Sequence, residues 1–204
     1  MITIVDYGVG NLGSIRNMLR KIGAACEISA DAERLAAADK LILPGVGAFD
    51  AGMASLNASG LAPALHEAVS QRKVPVLGIC LGMQLMTRGS EEGSLPGLGW
   101  IDARTVRFTP GANQKLKVPH MGWNVVDACK SSRLLHGAEP EERFYFVHSF
   151  YVRCDRPDDV LLRARHGDTF DAAFERDNVM GVQFHPEKSH KFGLRLLGNF
   201  AKAA

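Results

Sequence analysis

Val74-Pro75-Val76-Leu77-Gly78-Ile79-Cys80-Leu81-Gly82-Met83-Gln84-Leu85-Met86 passes from an apolar run to a helical pattern through a single cysteine. The run reads as a buried strand over residues 74–79, and the residues after Cys80 read as a helix that starts at the sulfur. Gly78 and Gly82 flank the turn and are expected to give the backbone the freedom that a nucleophile elbow demands. A thiol at a helix N-terminus also faces the positive end of the helix dipole, which favours the thiolate. The chain has four cysteines, and only Cys80 has this setting. Taken alone, the stretch would equally suit a buried core cysteine.

A second signal lies a hundred residues downstream. Val182-Gln183-Phe184-His185-Pro186-Glu187 starts as an apolar strand, expected over residues 179–184, and ends in His-Pro-Glu. Side chains two apart on a strand share a face, so His185 and Glu187 are expected to point the same way. A cysteine nucleophile needs a base, and the base needs a carboxylate to fix its tautomer. By itself His-Pro-Glu suits a surface turn. Beside an elbow cysteine it suggests a Cys80–His185–Glu187 triad.

The rest of the first half alternates. Strands are expected over 2–6, 25–29 and 40–43, and helices over 14–22, 31–37 (capped by Asp31), 50–56 and 61–71. This pattern implies one α/β domain over residues 1–204, with a mostly parallel sheet, helices on both faces and a site at the C-terminal strand ends. The second half reads as antiparallel, strand-rich additions, with strands over 105–108, 123–127, 144–152, 160–165, 171–175 and 179–184, a hairpin turn at Asp177-Asn178 and a closing helix over 191–202. Composition is that of a soluble globular chain: 46% hydrophobic, 23% charged, net charge +2. It offers no basic excess for nucleic acid and no apolar run long enough for a membrane span. The N-terminus lacks signal-peptide features, and the cysteine spacing suggests free thiols in a reducing cytoplasm. No histidine spacing suggests a metal site, and no cofactor is expected.

Gly8-Val9-Gly10-Asn11-Leu12-Gly13 satisfies G-x-G-x-x-G after the first strand, with Asp31 near the position of a ribose-binding acid. This defines a rival reading, a dinucleotide-binding module. Against it, Asp6 would bring a carboxylate to the pyrophosphate, and the triad would have no role.

A thiolate with a His–Glu pair implies acyl transfer through a thioester, whose tetrahedral intermediate needs N–H donors. Leu81 at the helix start supplies one, and Pro44-Gly45-Val46-Gly47 at another strand end is the natural source of a second, from Val46. G-I-C-L-G-M-Q, P-G-V-G and F-H-P-E, spread over nearly the whole chain, resemble the class I (triad) glutamine amidotransferases. The resemblance implies a Cys80 nucleophile, a His185 acid–base and an orienting Glu187, acting on L-glutamine. It also implies substrate contacts from Gly47, Gln84, Glu92, Ser149 and Phe150, although Gln84 and Glu92 would also suit solvated positions. Phe150 stands where many members have tyrosine.

Asp6-Tyr7-Gly8-Val9-Gly10-Asn11, Pro119-His120-Met121-Gly122-Trp123-Asn124, Tyr145–Phe150 and His185–Ser189 narrow the resemblance to the glutaminase subunits of imidazole glycerol phosphate synthases in histidine biosynthesis. That implies a heterodimer with a (β/α)₈-barrel cyclase, faced by Asn11, Trp123 and Lys188. Glutaminase subunits serving pyridoxal phosphate, anthranilate or aminodeoxychorismate synthesis are the nearest alternatives, and they match these segments less well.

Overall fold

The computed structural model describes residues 1–109 and 117–202. In chain order the elements are β1 (Ile2–Val5), α1 (Leu12–Lys21), β2 (Cys26–Ser29), α2 (Ala32–Ala36), β3 (Lys40–Leu43), α3 (Phe49–Ala58), α4 (Ala62–His66), β4 (Val76–Ile79) and α5 (Leu81–Leu85). There follow β5 (Ala103–Arg107), β6 (His120–Val125), β7 (Asp127–Ala128), β8 (Arg143–His148), β9 (Phe150–Cys154), β10 (Val160–His166), β11 (Asp168–Arg176), β12 (Val179–Val182) and α6 (His190–Lys202). No helix among the described residues is long and apolar enough to cross a membrane.

The main sheet runs β2-β1-β3-β4-β12-β11-β10-β7, with β9 joining β11 and β5 joining β9, while β6 and β8 form a separate two-stranded sheet. Strands β1 to β4 and β12 are mutually parallel; β11 returns antiparallel to β12, and β10 is antiparallel to β11 in turn. The C-terminal ends of β1, β3, β4 and β12 therefore meet at one rim, where ligands of open α/β sheets bind. All four residues of β1 and of β4 are buried, as expected for strands covered on both faces. Alternate residues feed two cores. Ile4, Ile42, Leu77 and Ile79 pack with Leu19 and Leu197, whereas Val5, Leu41, Leu43 and Val76 pack with Leu35, Leu56 and Leu81.

Several expected elements are differently cut. The strand expected over 144–152 divides at Ser149, because β8 pairs with β6 while β9 pairs with β5 and β11 in the main sheet. The helix expected over 61–71 is α4 running on into a π turn, Glu67–Gln71. The helix at 31–37 forms as expected, Asp31 accepting from the Glu33 and Arg34 N–H groups. The Asp177 turn also forms between β11 and β12, with Asp177 at φ 51°.

The elbow works differently from the sequence reading. Cys80 itself, not a glycine, takes the left-handed backbone, with φ 54° and ψ −111°. The flanking glycines serve close approach: a Cβ on Gly82 would lie 1.8 Å from the Leu43 carbonyl oxygen, and one on Gly78 would lie 2.8 Å from the Met83 backbone. Gly82→Ala is expected to lower stability by about 1–3 kcal/mol, the usual cost of forcing atoms into a packed interior. Gly13→Ala, in α1 with open space around it, should raise stability by about 0.4–1 kcal/mol. Urea unfolding midpoints of the two variants check the contrast.

Candidate functional site

Cys80 follows β4 directly, its N–H bonded to the Val182 carbonyl of β12 at 2.8 Å. The same neighbouring strand delivers His185. The chain does not continue as a strand to reach it, however. β12 ends at Val182, His185 caps a 3₁₀ turn, and Pro186–Lys188 forms that turn. Pro186 fixes φ for the turn's first residue and contributes no N–H that would need a partner. His185 and Glu187 therefore meet through a turn rather than along a strand face, which corrects the expectation. Their contact is short: His185 Nδ1 donates to Glu187 Oε1 at 2.8 Å, and each side chain is only 2% exposed.

With Nδ1–H committed to the carboxylate, Nε2 is the nitrogen left for chemistry. It is buried without a hydrogen-bond partner, as is Glu187 Oε2. Burial opposes charge on the imidazole, but the nearby Cys80 sulfur and the hydrogen-bonded Glu187 carboxylate outweigh it and raise the His185 pKa from 6.5 to about 9.

A cleft of about 410 Å³ opens above this pair. Val46 and Gly47 border it from the β3–α3 turn, and Leu81 and Gln84 from α5. Val46 is exposed and Gly47 lies at φ 99°. Leu81 opens α5, so its N–H has no intrahelical acceptor. Glu92 lines the cleft from one side while its Oε2 accepts the Phe49 N–H at 2.9 Å, holding the start of α3. Ser149 and Phe150 line it from the break between β8 and β9. The Phe150 carbonyl accepts from Gln84 Nε2 at 3.1 Å, a contact that a phenylalanine makes as well as a tyrosine would.

Lys188 also reaches the cleft, its Nζ 5.8 Å from the Tyr145 ring centroid. Trp123 stands outside, 44% exposed, stacked on His190 at 5.5 Å and edge-on to Tyr145 at 6.2 Å. Asn11 is exposed at the N-cap of α1 yet makes no side-chain capping bond. Trp123 is therefore not a core aromatic, and neither it nor Asn11 borders the cleft.

The glycine-rich loop has a packing role. Asp6 accepts the Gly8 N–H at 3.1 Å, Asp31 is used up as the α2 cap, and a Cβ on Gly10 would lie 3.0 Å from the Pro44 side chain. The loop thus presses on the Pro44–Gly47 turn. Tyr7, 3% exposed, donates to the Pro44 carbonyl at 2.7 Å. Sequence reading missed Gln183 and His148, both buried beside the site. A polar residue inside an apolar run, as in Val182-Gln183-Phe184, was the available signal for Gln183.

Residues 3–204 match the family described as Glutamine amidotransferase class-I. The chain is 52% identical over 204 residues to the imidazole glycerol phosphate synthase subunit HisH 2 of Methanococcus maripaludis, covering 100% of both chains. It is also 52% identical to the subunit of the same name from Pseudomonas aeruginosa, covering 99% of each. Among solved structures, a GMP synthase subunit from Thermoplasma acidophilum superposes with a TM-score of 0.73 at 22% identity, over 98% of this chain and 91% of that one. At that identity the superposition speaks to the fold alone. A family profile spanning nearly the whole chain, and full-length relatives at such identity, leave one conclusion: the chain belongs to the class I glutamine amidotransferase family, within its branch of imidazole glycerol phosphate synthase HisH subunits.

Proposed function

We propose that this chain is the glutaminase subunit of an imidazole glycerol phosphate synthase, acting in histidine biosynthesis, with residues 1–204 forming one amidotransferase domain. The observation that carries the reading is the convergence of Cys80, His185 and Glu187 at one strand-end rim beneath a cleft. The Cys80 thiolate attacks the carboxamide carbon of L-glutamine, and the Leu81 and Val46 N–H groups receive the developing oxyanion. As the C–N bond breaks, His185 Nε2 gives its proton to the departing ammonia. Water then attacks the glutamyl thioester, with His185 as base and Glu187 holding its tautomer. Gly47, Gln84, Glu92, Ser149 and Phe150 hold the substrate, and no cofactor enters.

Free ammonia is protonated in water and lost to further chemistry, so an acceptor site must lie close by. The partner is a (β/α)₈-barrel cyclase that adds the ammonia and yields imidazole glycerol phosphate with aminoimidazole carboxamide ribotide. Asn11, Trp123 and Lys188 face it. The four free thiols suit a reducing cytoplasm.

Glutamate release by the purified chain should be slow, and should rise strongly when the cyclase and its ribulosyl ligand are added; equal rates with and without them would overturn the partner assignment. Cys80→Ala should abolish glutamine-dependent synthesis in that complex and leave ammonia-dependent synthesis intact. A stopped synthesis from both sources would make Cys80 structural.

The charged His185 persists below its raised pKa, so the alkaline limb of the glutaminase rate should fall near pH 9. Glu187 raises that value, so Glu187→Gln should move the limb to lower pH and reduce kcat by about 10²-fold. An unmoved limb in a folded variant would remove Glu187 from the triad. Trp123→Ala should weaken binding of the cyclase by about 30-fold, as loss of a central aromatic anchor does, read by calorimetry.

A further inference from the structure

Gln183 is 0% exposed and follows the last residue of β12. A carboxamide has two donor hydrogens and an accepting oxygen, and burying them without partners is costly. Its Oε1 accepts from Gln84 Nε2 at 3.1 Å, and its Nε2 donates toward Cys80 Sγ at 3.8 Å. The second Gln84 Nε2 proton goes to the Phe150 carbonyl at 3.1 Å.

That carbonyl sets the direction of every bond attached to it, because it only accepts. Gln84 must turn its nitrogen to Phe150, so Gln183 must turn its oxygen to Gln84 and its nitrogen to the sulfur. On the opposite side, His148 Nδ1 lies 2.7 Å from the same carbonyl and must carry the proton. Burial pushes His120 and His148 down to about 4 and about 3, so both rings are neutral at pH 7, each with one N–H. His148 Nε2 therefore accepts from His120 Nδ1 at 2.9 Å, and His120 Nε2 accepts from Asn124 Nδ2 at 3.1 Å. The remaining Asn124 N–H is bonded to the Arg165 carbonyl at 2.8 Å. Neither glutamine amide can flip without losing its bonds.

We infer that Gln183 is a further catalytic residue, whose N–H is locked onto the Cys80 sulfur by this two-armed network and stabilises the thiolate. The inference rests on Cys80 being the glutaminase nucleophile. It adds to the helix start and the imidazolium a third, neutral source of anion stabilisation, one that does not titrate. Its orientation is set by backbone, not by substrate, so it acts before glutamine arrives.

Iodoacetamide alkylation of Cys80 against pH, followed by mass spectrometry of its peptide, tests this without glutamine. Gln183→Met keeps the length of the side chain and removes the donor. Its Cys80 profile should move up by about one pH unit, with alkylation about tenfold slower below the midpoint, and kcat for glutamine should fall more than KM rises. An unshifted profile in a folded variant would overturn the inference. Should Gln183→Met fail to fold, the wild-type chain still decides. The Gln183 side-chain amide resonance should shift as Cys80 titrates and in Cys80→Ala, and a resonance indifferent to both would overturn the assignment. A wild-type Cys80 alkylated no faster than exposed Cys129 would instead remove the nucleophile reading, and the inference with it.

Discussion

The contact between α5 and the end of β3 is the constraint on which the site depends. Gly82 lies against the Leu43 carbonyl so closely that no side chain fits between them, and Gly45 lies against the Gly82 N–H in turn. With the helix start pressed onto β3, the chain leaving β4 has no room for an ordinary turn. Cys80 must take the left-handed backbone, which costs a non-glycine residue about 1–3 kcal/mol. That strain persists because β4 is clamped between β3 and β12, with the Cys80 N–H held by Val182. The same fit brings the Pro44–Gly47 turn beside the start of α5. One steric contact therefore sets Cys80 and both candidate oxyanion donors.

Where the determinants of this arrangement are local, they are readable from the chain. The strand–cysteine–helix passage and the alternation of the first half are local patterns, and so is the Asp31 cap. Parallel pairing then follows from alternation, and the shared rim from parallel pairing. Less was readable where partners come from far away. His185 and Glu187 meet for a reason the strand period does not supply, since Pro186 starts a turn that no period-two pattern reveals. The break at Ser149 depends on β8 and β9 choosing different sheets. Gln183 looks like one polar residue in an apolar run until Gln84, 99 positions away, is beside it. The glycine-rich loop shows the limit of spacing alone: it fits a phosphate cradle, while its close neighbours are Pro44 and Ser55.

Electrostatics divides the labour among histidines that are near one another. His185 and His148 are both buried, yet their pKa values move in opposite directions, to about 9 and about 3. Burial alone lowers both. The difference lies in the partners. Glu187 and Cys80 offer His185 negative charge, whereas His148 meets a backbone carbonyl and further imidazoles. His185 therefore holds a proton at neutral pH. His148 stays neutral and adds no charge beside Cys80.

The two roles of β6 join these parts. Its burial alternates: Met121, Trp123 and Val125 are exposed, while His120 and Asn124 turn toward the hydrogen-bond network. Val46, in the oxyanion turn, is exposed as well. An isolated chain leaves this apolar row in water, which disfavours it, and leaves the cleft open to solvent that would take up released ammonia. A partner covering the row removes both penalties at once. The same strand carries His120 and Asn124, the outer members of the histidine arm that ends at the Phe150 carbonyl. Period-two alternation in one short strand thus sets the exposed apolar row back to back with the histidine arm that meets the Phe150 carbonyl.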